Sequence, residues 1–220
     1  MSSNSDTDLP LAYREGTAEF LGCTIYLDSR PLIPRTETEW WVEEFLKTLP
    51  ERGMLKVLDL FSGSGCVGVA VLKHVQSATV DFGELEARHL PTIQKNIDAN
   101  GVGGRSQVIQ TDVYSNSAGA YDYILANPPY LAESRIGRID ESVLMHEPKE
   151  ALMAAEDGFA LIRATIEGAP AHLNPGGQLW VEHEPEHAAQ IATLAASLGM
   201  SATAHNDQYG VCRYSVILKP

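Results

Sequence analysis

Apolar positions along this chain change their spacing in a regular way. "LKVLDLF" (55–61) is a short apolar run followed by glycines. "SATVDFGEL" (77–85), "SQVIQTDV" (106–113), "YDYILANPP" (121–129) and "GGQLWVEHE" (176–184) are further runs of strand length. Helical spacing appears between or after them, in "LPTIQKNIDAN" (90–100), "FALIRATIEGAPAHL" (159–173) and "EHAAQIATLAASLG" (186–199). "SATAHND" and "CRYSVILK" then read as a closing antiparallel pair. Strand and helix in alternation predict an α/β fold, a doubly wound sheet with both faces covered. The sheet is expected to be mostly parallel, with an antiparallel C-terminal strand.

The first part of the chain has a different texture. "TAEFLGCTIYLDSRPLI" (17–33) is β-rich, with Asp28-Ser29 as the turn between two extended arms. "TETEWWVEEFLKTL" (36–49) opens with a capping box, Thr36 as N-cap and Glu39 three residues on. Trp40, Trp41, Phe45 and Leu49 recur at helical spacing and read as core packing. The boundaries that follow are a loose tail over 1–9, a β-rich substrate-side hairpin over 10–35, and one large domain over 36–220.

Composition narrows the partners. A chain of 220 residues with 44% hydrophobic residues can bury one substantial core. The formal net charge of -13 argues against nucleic acid as the main partner, because phosphate neutralisation wants a basic surface. Cys23, Cys66 and Cys212 lie far apart with no CxxC pair, so they read as reduced thiols of an intracellular protein. No metal site is expected. No apolar run approaches the length that spans a bilayer, and "MSSNSDTDLP" lacks the basic, amphipathic character of a leader. The cytoplasm is the expected compartment, with the mitochondrial matrix as the alternative if a leader has been removed.

Candidate chemistry sits at the ends of the strands. In "DLFSGSGCVGVAVL", Gly63, Gly65 and Gly68 lie where strand turns into helix, so backbone amides can approach a ligand closely. Asp59 ends that strand and can accept a bond from an amino group. Glu84 ends the next strand at the spacing of a carboxylate that holds ribose hydroxyls, with Asp81 as its rival. Asp112 ends the third strand, where it or a neighbouring amide can recognise adenine. Each of these acids also reads as a solvated strand end or a helix cap. No GxxxxGK[ST] occurs, so an adenosyl ligand fits better than a nucleoside triphosphate.

"NPPY" (127–130) follows the fourth strand. The Asn127 side-chain carbonyl and the Pro128 backbone carbonyl can each accept one N–H of a planar NH2 group. Pro128 and Pro129 stiffen the turn, and Tyr130 offers a flat face to the same group. His183 is a tempting base, but as a strand residue it reads more simply as core.

Glycine turn, two acids and NPPY in this order resemble a class I methyltransferase that uses S-adenosyl-L-methionine, with a Rossmann-like sheet. The match narrows to the HemK/PrmC family, the protein-(glutamine-N5) methyltransferases of peptide-chain release factors. "PLAYREGTAEF" carries Pro10, Leu11, Tyr13, Gly16 and Phe20 of that pattern. "IPRTETE" carries Ile33, Pro34, Arg35, Glu37, Thr38 and Glu39, and "HEPKEALMAAEDGF" carries Glu147, Pro148, Ala151, Leu152, Asp157 and Gly158. The resemblance implies methyl transfer to the glutamine of a GGQ motif, with a release factor as partner. It implies catalytic roles for Asn127, Pro128 and Tyr130, and cofactor contacts from Asp59, Gly63, Gly65, Glu84, Asp112 and Asn127. Substrate contacts would come from Asn127, Pro128, Pro129, Tyr130, Arg35 and Glu147.

Three departures stand out. Phe61 replaces the first glycine of the usual loop. Only Glu182 survives from the family's "LEIG..Q" strand. The family's helical N-terminal domain is expected to be lacking, which leaves recognition to the hairpin. The alternatives are an amino methyltransferase of adenine or guanine, and a non-catalytic cofactor-binding subunit.

Overall fold

The computed structural model describes residues 9–50, 53–130, 147 and 155–220. The expected loose tail lies, apart from Leu9, outside them, as do Pro148, Ala151 and Leu152 of the family pattern.

A short helix α1 (Leu11–Glu15) precedes a hairpin of β1 (Thr17–Phe20) and β2 (Cys23–Tyr26). The hairpin therefore turns at Leu21-Gly22, not at Asp28-Ser29, which forms a separate turn after β2. Leu21 (φ 46) and Gly22 (φ 73) both take left-handed conformations, and this tight reversal falls inside what the sequence reads as one arm.

Helix α2 (Thr36–Thr48) follows. Thr36 is its first residue, Arg35 is the N-cap, and no side chain caps it. The expected capping box is absent because Glu39 has another partner: its Oε1 accepts the Leu21 N–H at 2.7 Å. One carboxylate thereby holds the hairpin turn against the helix.

The central sheet is built from β3 (Leu55–Leu60), β4 (Ala78–Glu84), β5 (Ser106–Gln110), β6 (Tyr121–Ala126), β7 (Leu173–Glu182), β8 (Ser201–Asn206) and β9 (Cys212–Leu218). Its order is β5-β4-β3-β6-β7-β9-β8, with the first five strands parallel and β9 antiparallel to β7 and β8. Helices α3 (Cys66–His74), α4 (Leu90–Ala99), α5 (Ala160–His172) and α6 (Ala188–Ser197) cover it.

Alternate strand residues feed two cores, one on each face. Val57, Val80, Phe82 and Trp180 join α2, α3, α4 and the hairpin. Leu58, Leu60, Ile124, Leu179 and Val181 join α5 and α6. The central strands are buried on both sides and so read as continuous apolar runs. Neighbours β3 and β6 connect in opposite directions, which opens a crevice at their carboxyl ends, where open α/β sheets take ligands.

Candidate active site

A cleft opens at that crevice. Leu60, Phe61, Gly63, Glu84, Leu85, His89, Asp112, Val113, Asn127 and Pro129 line it, among others. Its mainly apolar walls suit a small organic ligand.

Asp59, at the end of β3, is buried, and its Oδ2 accepts the Gly68 N–H at 2.9 Å. Burial pushes its carboxyl up to about 7, against that bond. Gly68 is not part of the turn; it lies within α3. The turn itself runs through Phe61 (φ 60), Gly63 (φ 55) and Gly65 (φ 79). Phe61 thus keeps the left-handed backbone that glycine adopts freely, and it leaves Gly63 on the cleft wall.

Glu84 grips this turn. Its Oε2 accepts the Gly63 N–H at 2.8 Å, and its Oε1 accepts the Glu86 N–H at 2.8 Å. Asp81 is no rival: it sits mid-strand, bonded to the Tyr121 hydroxyl at 2.9 Å and 3.5 Å from the Lys56 ammonium. Asp112 lies two residues beyond β5 rather than at its end, and its N–H is held by the Ser115 hydroxyl. Beside it, Val113 has φ 48, a strained conformation for a β-branched residue, and its carbonyl accepts the Thr111 hydroxyl at 3.1 Å. Phe61 and Val113, both strained, line the same cleft.

Asn127 directly follows β6 and lines the cleft with Pro129. Its Nδ2 donates to Thr38 Oγ1 at 3.1 Å. Thr38 donates in turn to Glu182 Oε2 at 2.7 Å, which also accepts the Trp41 Nε1–H at 2.7 Å. The Tyr130 hydroxyl donates to Glu182 Oε1 at 2.8 Å. Burial raises the Glu182 carboxyl above its usual range, while these three donors pull it back. Burial and the adjacent Glu182 hold the Tyr130 phenol well above its ordinary value, so Tyr130 stays a donor.

Asp59, Gly65, Pro128 and Tyr130 are not among the residues that line the cleft. Tyr130 packs partly against the second core, and Pro128 is buried. Arg35 and Glu147 are brought to each other, with Nη2 and Oε1 2.6 Å apart, and Glu147 Oε2 also accepts the Ile33 N–H. His183 is buried core, as its strand position implies, bonded to Ser215 Oγ at 2.7 Å. Burial lowers its pKa to about 4.

Residues 42–158 match the methyltransferase small domain family. The release factor glutamine methyltransferase of Bordetella pertussis (strain Tohama I) is 34% identical over 94% of this chain and 76% of its own length. That of Chlorobaculum tepidum is 32% identical over 86% of this chain and 67% of its own length.

The chain belongs to the release factor glutamine methyltransferase family.

Among solved structures, the ribosomal protein L11 methylase of Lactobacillus delbrueckii subsp. bulgaricus superposes with a TM-score of 0.61. It covers 86% of this chain and 80% of its own at 15% identity, which supports the methyltransferase fold.

Within this family frame, three residues of the site were not singled out from sequence. Asn96 is wholly buried in α4, where it accepts the Tyr26 N–H and donates to the carbonyls of Tyr26 and Ser64. It ties the hairpin to the glycine turn. An asparagine on an apolar helix face, between Ile93 and Ile97, was the available signal. His89 lines the cleft and is held through Nδ1 by the Ser29 hydroxyl at 2.8 Å. Leu85 is an exposed apolar side chain on the cleft wall. Among the described residues no cluster of His, Cys, Asp or Glu could hold a metal, and no helix is long and apolar enough to cross a membrane.

Proposed function

We propose that this chain methylates the side-chain amide nitrogen, N5, of the glutamine in the GGQ motif of a peptide-chain release factor, using S-adenosyl-L-methionine. The observation that carries this reading is Asn127, lining the cleft beyond β6 with its amide nitrogen already engaged by Thr38. Its relatives' names supply the substrate class.

The cleft suits the cofactor. Apolar walls from Leu60, Leu85 and Val113 fit an uncharged base, and the carboxylates of Glu84 and Asp112 favour a ligand of positive charge. When bound there, the cofactor supplies an electrophilic methyl group.

An amide nitrogen is a weak nucleophile because its lone pair is delocalised into the carbonyl. The protein's part is therefore to hold and polarise it. Asn127 Oδ1 accepts one N–H of the glutamine. That oxygen favours the positive charge that grows on nitrogen as the new bond forms. Prolines at 128 and 129 limit the backbone freedom beside this acceptor. Positioning of this type supplies roughly 7–11 kcal/mol in favourable cases. No strong base is needed, since the nitrogen sheds its proton to water after transfer. Glu84 holds the ribose, and the turn at Gly63 brings backbone close to the ligand.

The test is mass spectrometry of candidate release factors after incubation with labelled cofactor. One methyl group on the GGQ glutamine is expected, and none when GGQ is changed to GGA. Undiminished transfer to the GGA protein would remove the reading. Transfer to RNA or DNA instead would replace it.

A further inference from the structure

A carboxamide has nearly the same shape either way round, but its two ends are opposite in kind: one accepts, the other donates. Which end Asn127 shows to the cleft therefore decides what the site can bind. The neighbours of Asn127 settle the matter by a chain of donors.

Trp41 Nε1–H can only donate, and it points at Glu182 Oε2 at 2.7 Å. Tyr130, kept as a phenol, donates to Oε1 at 2.8 Å. Thr38 has one hydroxyl hydrogen, and it too goes to Oε2, at 2.7 Å. The Thr38 oxygen is left with lone pairs alone. Asn127, 3.1 Å away, can meet it only with N–H. Its oxygen is then the end left for the cleft that Asn127 lines.

Resting on the reading of Asn127 as acceptor for the substrate nitrogen, we propose that Thr38 and Glu182 are positioning residues that lock the Asn127 carboxamide oxygen-outward, and so make the site select a carboxamide over a carboxylate. A glutamine brings two N–H groups to an acceptor. A glutamate in its place brings none and sets oxygen against oxygen. Were Asn127 to turn over, its NH2 would face the substrate's NH2, and the preference would invert. Neither positioning residue needs to touch substrate. Both act through Asn127.

Three variants separate this role from simple packing. Thr38→Val keeps the side-chain shape and removes both bonds. Thr38→Ser restores the hydroxyl. Glu182→Gln keeps an acceptor at the Oε2 position, because Trp41 can only donate there, and turns its NH2 toward the Tyr130 oxygen, which can accept. Thr38→Val is expected to lower kcat about tenfold or more, with cofactor Kd unchanged within about twofold. A fixed acceptor lost from the reacting atoms acts at that scale. Thr38→Ser and Glu182→Gln are expected to stay within about threefold of the parent.

Two further readouts do not depend on turnover. Release-factor domains carrying GGQ or GGE are compared as ligands, and the preference for GGQ is expected to shrink about tenfold in Thr38→Val, the scale of one hydrogen bond to a buried polar group. NMR of the Asn127 side-chain amide is expected to show slow hydrogen exchange in the parent and fast exchange in Thr38→Val. Should Thr38→Val not fold, Thr38→Ala takes its place with the same readouts. A valine variant with parental kcat, an unchanged GGQ preference, or unchanged amide exchange would overturn the proposal, as would an equal kcat loss in Thr38→Ser. If the parent protein methylates no release factor, the functional reading fails, and the NMR comparison still reports on whether Thr38 holds Asn127.

Discussion

Asp59 shows how a single buried carboxyl shapes the response of this protein to pH. Burial raises its pKa in the folded chain to about 7, from an unfolded value near the ordinary ~3.9. Between those values the folded state keeps a proton that the unfolded state has lost. Stability contributed by this group is therefore present at low pH and is lost as pH rises through that window. Asp59→Asn removes the titration and keeps an oxygen for the Gly68 N–H. Its urea midpoint relative to the parent is expected to rise between about pH 5 and 7 and to level off above, following the linkage rule. Parallel profiles for the two proteins would show that Asp59 titrates like an exposed acid. The sequence exposed Asp59 and Asn127 because each lies at a strand end that leads into a glycine or proline turn, and Glu84 because it ends the next strand at the spacing of a ribose-binding carboxylate. Thr38 was named only as part of the family pattern, and its role stayed hidden because its partners Asn127 and Glu182 lie 89 and 144 residues away.

At the scale of elements, the packing of α3 on β4 leaves no room for a side chain at Gly68. A Cβ at this position would collide with the Phe82 ring and press on Asp59 Oδ2 at 3.0 Å. Gly68→Ala is expected to cost about 1–3 kcal/mol, the usual penalty for overpacking a filled core. Guanidinium denaturation measures it, and a neutral result would mean that α3 can slide outward. Alternating strands and helices were legible because parallel strands buried on both faces read as short apolar runs. Local signals failed where a distant group outbid them. Thr36 and Glu39 have capping-box spacing, yet Glu39 is taken by the Leu21 N–H of the hairpin. The hairpin turn was misplaced for a related reason: Leu21-Gly22 has weak turn chemistry, and Asp28-Ser29 has strong turn chemistry without being the reversal.

Across the whole molecule, the two cores meet at the end of β7. Glu182 takes Thr38 and Trp41 from α2 on one face and Tyr130, packed against the other core, on its second oxygen. A second tie is the pair Arg35–Glu147, in which the Glu147 side chain is 1% exposed and Arg35 is 33% exposed. Arg35→Ala leaves that carboxylate buried without its cation. Stability is expected to fall by about 3–5 kcal/mol if the site stays dry, and by less if water enters. Denaturation midpoints together with limited proteolysis of the segment before α2 read this directly. An unchanged midpoint with impaired transfer to release factor would instead assign Arg35 to the substrate.

Asn96 carries a consequence for anyone recombining such chains. Its one amide spends every bond on two pieces of backbone, Tyr26 in the hairpin and Ser64 in the glycine turn. Hairpin and turn are therefore fastened to α4 by one side chain. A chimera that borrows only its hairpin from a relative brings the same backbone groups and should keep this tie, whereas one that borrows an α4 without asparagine at position 96 should lose it.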